Sequence, residues 1–250
     1  MVCEIKIYEK PKLNDPVLIE GLPGIGFVAN IAALHLIHEL DAKLFAEISS
    51  SSFQDLAIIT EKGSTYSPTN GLYYYRSHGS QRDLIIWYGN TQALTTFGQY
   101  ELCGCILDLA KEIDCQFIIT LGGFRREKIT DEPEIYCAAT DPETLKEALN
   151  LGAKIMVGQI FGLAGISIGL GKLKGLNGFS LLVETAGTHP DMKAAHRALS
   201  VLCSFLNLDV SLSELNTATQ ETEKILKSFG LIRRTREEKK REESTFRWSV

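Results

Sequence analysis

Pro16-Val-Leu-Ile-Glu-Gly-Leu-Pro-Gly-Ile-Gly-Phe-Val-Ala29 is the stretch that decides the fold. Val17 to Glu20 is a short apolar run without alternation, the pattern of a strand covered on both faces. Gly21, Pro23, Gly24 and Gly26 then punctuate the chain, and from Phe27 to Leu40 apolar residues recur at helical spacing. Strand, tight turn and helix in that order form the opening unit of an α/β protein.

Working outward, Met1–Ile7 alternates and reads as a strand, as does Leu44–Ser49. Asn70-Gly71, between Ile58 and Tyr75, predicts a hairpin turn. Leu84–Tyr88 is a buried strand ending in Gly89-Asn90. Tyr100–Ile113 follows as a helix, and Phe117–Leu121 is a strand ending in Gly122-Gly123. Asp141 before Pro142 predicts a capped helix over Pro142–Leu149. Lys154–Val157 is a further strand candidate, and the glycine-rich run from Gln159 fits either a closely packed helix or a loop. Phe179–Val183 reads as a strand and Pro190–Leu206 as an amphipathic helix. Ser211-x-x-Glu214 has capping-box spacing ahead of a last helix ending near Gly230.

Strands alternating with helices predict a three-layer α/β/α sandwich with a mostly parallel sheet. One domain is expected over residues 1–230. Residues 231–250, dense in charges of both signs, form a C-terminal arm.

Apolar residues make up 44% of the 250, enough for a single large core. A net charge of -5 provides no field to attract a phosphate backbone, so nucleic acid is not an expected partner. No run of about 18 apolar residues is present to span a membrane. The N-terminus lacks the apolar heart of a signal peptide. Six cysteines lie on apolar segments without a Cys-x-x-Cys pair, which predicts buried, reduced thiols and a cytoplasmic chain.

Gly24-Ile-Gly26-Phe-Val-Ala29 fits a dinucleotide fingerprint, with Glu47 near the position of a ribose-binding acid. Against that, Glu20 would repel a phosphate and Pro23 removes a backbone donor, so the turn is expected to serve tight packing. Other strand ends carry polar or glycine residues. Glu20, Gly24, Gly26, Asn90, Gly122 and Glu184 are therefore the candidates for a shared crevice, in which Glu20, Glu184 and His189 could act as an acid/base group. Arg125-Arg126 could grip a carboxylate or phosphate. His35 and His38 give only two ligands, a poor zinc site, and no phosphate loop is present. No catalytic group, metal or cofactor is assigned.

The Pro16–Ala29 string resembles the opening motif of the archaeal proteasome assembly chaperone family, which is related to the second eukaryotic assembly chaperone. Gly98-Gln-Tyr-Glu-Leu102, Thr120-Leu-Gly-Gly123, Gly175-Leu-Asn-Gly178 and Glu184-Thr-Ala-Gly-Thr-His-Pro-Asp191 resemble its later blocks in the same order. The resemblance implies a fold similar to purine nucleoside phosphorylases and peptidyl-tRNA hydrolases, homo-oligomers, and non-catalytic binding of proteasome α subunits or a related assembly factor. It also implies docking through the C-terminus, here Phe246, Trp248, Ser249 and Val250, with Ser249 where the family's terminal motif often has tyrosine. The alternative is a nucleotide- or small-ligand-binding enzyme, ATP-grasp-like or nucleoside-processing, that uses the strand-end crevice.

Overall fold

A computed structural model describes residues 3–59, 62–79 and 81–228. The boundary at 230, the arm and its docking residues Phe246, Trp248, Ser249 and Val250 lie outside the described residues.

The chain begins with β1 (Glu4–Ile7) and β2 (Val17–Gly21). A 3-10 turn at Ile25–Phe27 leads into α1 (Val28–Glu39) and then β3 (Lys43–Ser49). The short strands β4 (Ile58–Ile59) and β5 (Thr65–Tyr66) pair with each other. Next come β6 (Asn70–Tyr75), β7 (Leu84–Gly89), α2 (Thr96–Glu112), β8 (Phe117–Arg125), β9 (Ile135–Ala139) and α3 (Pro142–Asn150). The last elements are β10 (Lys154–Ile155), α4 (Leu163–Leu173), β11 (Asn177–Thr185), α5 (Met192–Leu206) and α6 (Leu215–Ser228).

Among the described residues, nine strands form one sheet in the order β1-β3-β6-β7-β2-β8-β11-β9-β10. Its centre, β7-β2-β8-β11, is parallel. The β1-β3-β6-β7 side is antiparallel, as is β9 against β11, so the sheet is mixed around a parallel core. Val17 and Ile19 face a cluster formed with α1, α3, α5 and α6. Leu18 and Leu22 face a second cluster with α2 and α4, which makes the architecture a three-layer sandwich.

Asn70-Gly71 does not make the predicted hairpin turn; it lies inside β6, paired with both β3 and β7. Tertiary bonding outweighs the local turn preference there. The buried Asn70 amide donates to the Thr91 carbonyl, 3.0 Å, and its Oδ1 accepts from the Trp87 indole, 3.1 Å. Gly122-Gly123, expected to end β8, lies within it. Ser211 does not cap α6, which starts at Leu215, whereas β9 is a strand that no sequence signal flagged.

Asp141 caps α3 as expected. Its side chain accepts from the amides of Glu143 and Thr144, both 2.9 Å, and from the Thr144 and Thr140 hydroxyls. The Thr144 hydrogen bonds lead the group that holds its carboxyl down to about 2. A carboxylate with a lowered folded pKa stabilises above its ordinary pKa and loses that contribution as pH falls towards 2. Asp141→Ala is expected to cost about 1 kcal/mol at pH 7 in urea titrations. The difference from the parent should shrink below about pH 4.

Candidate functional site

The turn after β2 is shaped by close backbone packing. Gly26 has φ +64, and a Cβ there would lie 2.7 Å from the Thr185 hydroxyl. Gly123 lets β8 pass the turn, since its Cβ would lie 2.1 Å from the Ile25 carbonyl oxygen. Gly21 brings β2 against α1, with a Cβ 2.1 Å from that of Ala33. Gly24 is extended, φ -149, with open space where a Cβ would be. The buried Asn30 completes the junction by donating to the Gly89 carbonyl at 2.8 Å and to that of Gly21 at 3.3 Å. Asn30 carries no local sequence signal, because its partners are backbone atoms that only the fold brings to it.

Glu47 does not complete a dinucleotide site. It lies on β3, three places from β2 across the sheet, and accepts a 2.6 Å hydrogen bond from Tyr8.

Beside the turn, Glu20, Gly24 and Gly122 line a cavity of about 380 Å³ together with Leu22, Gln92, Leu121, Arg125, Leu182 and the loop from Met156 to Gly162. Glu20 is 1% exposed. Its Oε1 accepts from the Leu22 amide at 3.1 Å, while Oε2 has no hydrogen-bond partner among the described residues. Burial pushes its carboxyl up to about 8, opposed only by the Leu22 bond, so the side chain is neutral at pH 7. Thr120, beside Glu20 on β8, donates to the Ala164 carbonyl at 3.1 Å and ties the strand to the first turn of α4.

The other crevice candidates lie apart. Glu184 sits in a second cavity of about 600 Å³, where Arg126 reaches it at 3.2 Å. The Tyr136 hydroxyl donates to Glu134 at 2.7 Å and lies 3.3 Å from a Glu184 oxygen, and Lys154 also donates to Glu134. This arrangement is a satisfied ion-pair network. Asn90 lines a third cavity with Glu47 and Tyr73, and its Oδ1 accepts from the Thr69 amide.

Glu20 and Glu184 share a sheet face, but two strands and four residues of rise separate them. Strand geometry makes that roughly 15 Å. With His189 exposed and lining none of the three cavities, the three do not form an acid/base group. Arg126 is committed to the Glu184 network, while Arg125 is exposed and lines the first two cavities.

His35 is buried, with Nε2 2.7 Å from the Ser211 carbonyl, and His38 meets Glu221 at 3.6 Å. No group of three metal-ligating side chains occurs among the described residues. Cys103, Cys115, Cys137 and Cys203 are buried, and burial raises the Cys103 thiol to about 12. No described helix is long and apolar enough to cross a membrane.

Large apolar side chains stand exposed on this end of the sheet and on the neighbouring loop: Ile25, Leu94, Val157 and Phe161, the last two more than 80% exposed. The strand candidate Lys154–Val157 and the glycine-rich run from Gln159 were the sequence signals for the last two.

The chain is 37% identical to Pyrococcus furiosus PbaB, an archaeal proteasome activator, whose crystal structure superposes with a TM-score of 0.82 over 92% of this chain and 99% of that one. Pyrococcus furiosus PbaA, an archaeal homolog of proteasome-assembly chaperone, is 29% identical, with a TM-score of 0.73 over 90% of this chain and 94% of that one. An uncharacterized protein of Methanocaldococcus jannaschii, MJ1210, is 32% identical over 226 residues, 90% of this chain and 86% of that one. The PAC2 family model matches residues 18–229, so the chain belongs to the PAC2 family.

Proposed function

We propose that this chain is a non-catalytic chaperone or scaffold that binds proteasome α subunits and assists their assembly, working as a homo-oligomer in the cytoplasm. The family match, with its similarity to a homolog of proteasome-assembly chaperone, is the observation that carries this reading. The exposed Ile25, Leu94, Val157 and Phe161 support it, because large apolar side chains left in water on a folded chain are what partner proteins cover. The satisfied Arg126–Glu184 network and the separation of Glu20, Glu184 and His189 favour binding over catalysis. The arm, with Phe246, Trp248, Ser249 and Val250, is the proposed second docking element.

A second reading, activation of the assembled proteasome, is favoured by the 37% identity to an activator. Both make the same first prediction. In native mass spectrometry the full chain forms a complex with separately expressed α subunits, and a chain truncated after Phe229 forms roughly tenfold less. No complex with either form would sink both readings. Peptide hydrolysis by the preassembled proteasome separates them, since only an activator raises its rate.

A further inference from the structure

We infer that the cavity lined by Glu20, Gln92, Arg125 and the start of α4 binds a small carboxylate with an apolar body. The cavity shares Ile25 and Phe161 with the apolar surface proposed above, but the inference does not rest on that reading. Its walls are Leu22, Leu121, Phe161 and Leu182, and its volume of about 380 Å³ suits a compact organic molecule.

Most of the polar groups that converge on it are donors; Gln92 is the exception, since its amide donates to the Pro23 carbonyl and leaves its Oε1 as an acceptor beside Gly162. Gly162 caps α4 without a side-chain acceptor, and Gly162 and Ala164 line the cavity. The first amides of a helix have no intrahelical partner, and the helix dipole favours an anion at that end. A helix start alone would be generic, but the orphaned Glu20 Oε2 is a second, separate observation. It is buried among apolar groups with no cation against it, so it carries its proton and offers an O–H. Arg125, exposed at the same cavity, supplies the positive charge. Proton-bearing carboxyl, helix amides and guanidinium together match a carboxylate head, and the apolar walls match its body. A cationic amine would meet the Arg125 charge and the positive end of α4.

The test is a ¹H–¹⁵N NMR titration of the full chain with phenylacetate and isovalerate, with phenylacetamide and phenethylamine as matched controls and calorimetry for affinity. A tetrapeptide ending in phenylalanine, with free or amidated C-terminus, distinguishes a chain terminus from a free acid as the source of the carboxylate. The acids, or the free-terminus peptide, should saturably shift the amides of Leu163, Ala164 and Gly165 and bind at least tenfold tighter than the amide and amine controls. Glu20→Leu and the surface change Arg125→Ala should each weaken binding about tenfold. Glu20→Gln, which still donates, should retain it. The inference is overturned if no carboxylate shifts those amides, if the controls bind equally well, or if neither Glu20→Leu nor Arg125→Ala alters affinity.

Discussion

Glu20→Gln is expected to remove a large pH dependence from the stability of this protein. The Glu20 carboxyl is raised from an ordinary 4.5 to about 8 by burial in the α2/α4 face of the sheet. A carboxyl whose folded pKa exceeds its unfolded one binds its proton more tightly when folded. The parent is therefore most stable, as far as Glu20 is concerned, below about pH 4.5. It loses stability as pH rises to about 8 and levels off above that. At about 1.4 kcal/mol per unit, the loss is of order 4–5 kcal/mol. Urea midpoints for parent and variant measured from pH 5 to pH 9 should diverge in the variant's favour as pH rises. Parallel curves would mean that Glu20 is hydrated in the folded protein.

The second large effect is at Gly21. An alanine Cβ there would lie 2.1 Å from the Cβ of Ala33 and 3.1 Å from the Ala29 carbonyl, both on α1, and no flexible side chain stands between them. Helix and central strand would have to separate, and overpacking of that kind costs about 3 kcal/mol or more. Gly24→Ala, three residues on, meets nothing within 4 Å at an extended φ, and should change stability by less than about 0.5 kcal/mol. Thermal denaturation of the pair checks this contrast; equal loss from both would refute the packing account.

That contrast marks what could be read from the chain. The run Val17–Gly21, its punctuation and the helix after it were legible because an unbroken apolar stretch and glycine are local signals. Which glycines are sterically required was not, because Ala33, Ile25 and Thr185 reach them only through the fold. Gly165 is similar: its Cβ would lie 2.1 Å from the Ile160 carbonyl, so the glycine-rich run is a helix wound against its own preceding loop. β9 was missed because Ile135–Ala139 is short and follows a charged stretch. It is held by distant pairing with β11. For the site, Glu20, Gly24 and Gly122 converge on one cavity, whereas Asn90 and Glu184 line others. A list of strand ends does not carry the lateral spacing of a wide sheet, nor the loop from Met156 to Gly162 that closes one of its cavities.

The order of strands also bears on how the protein is made. β2 lies at the heart of the parallel core, yet Val17 pairs with Leu84 on one side and Phe117 on the other. With a ribosome adding roughly 5–20 residues per second, β2 emerges some 5–20 s before β8 is synthesised to complete its pairing. Until β7 is made Val-Leu-Ile has neither neighbour, and until β8 follows one of its edges stays open on a nascent chain. A protein read as an assistant to the assembly of others should thus be most exposed to aggregation during its own translation, before Phe117 has left the exit tunnel.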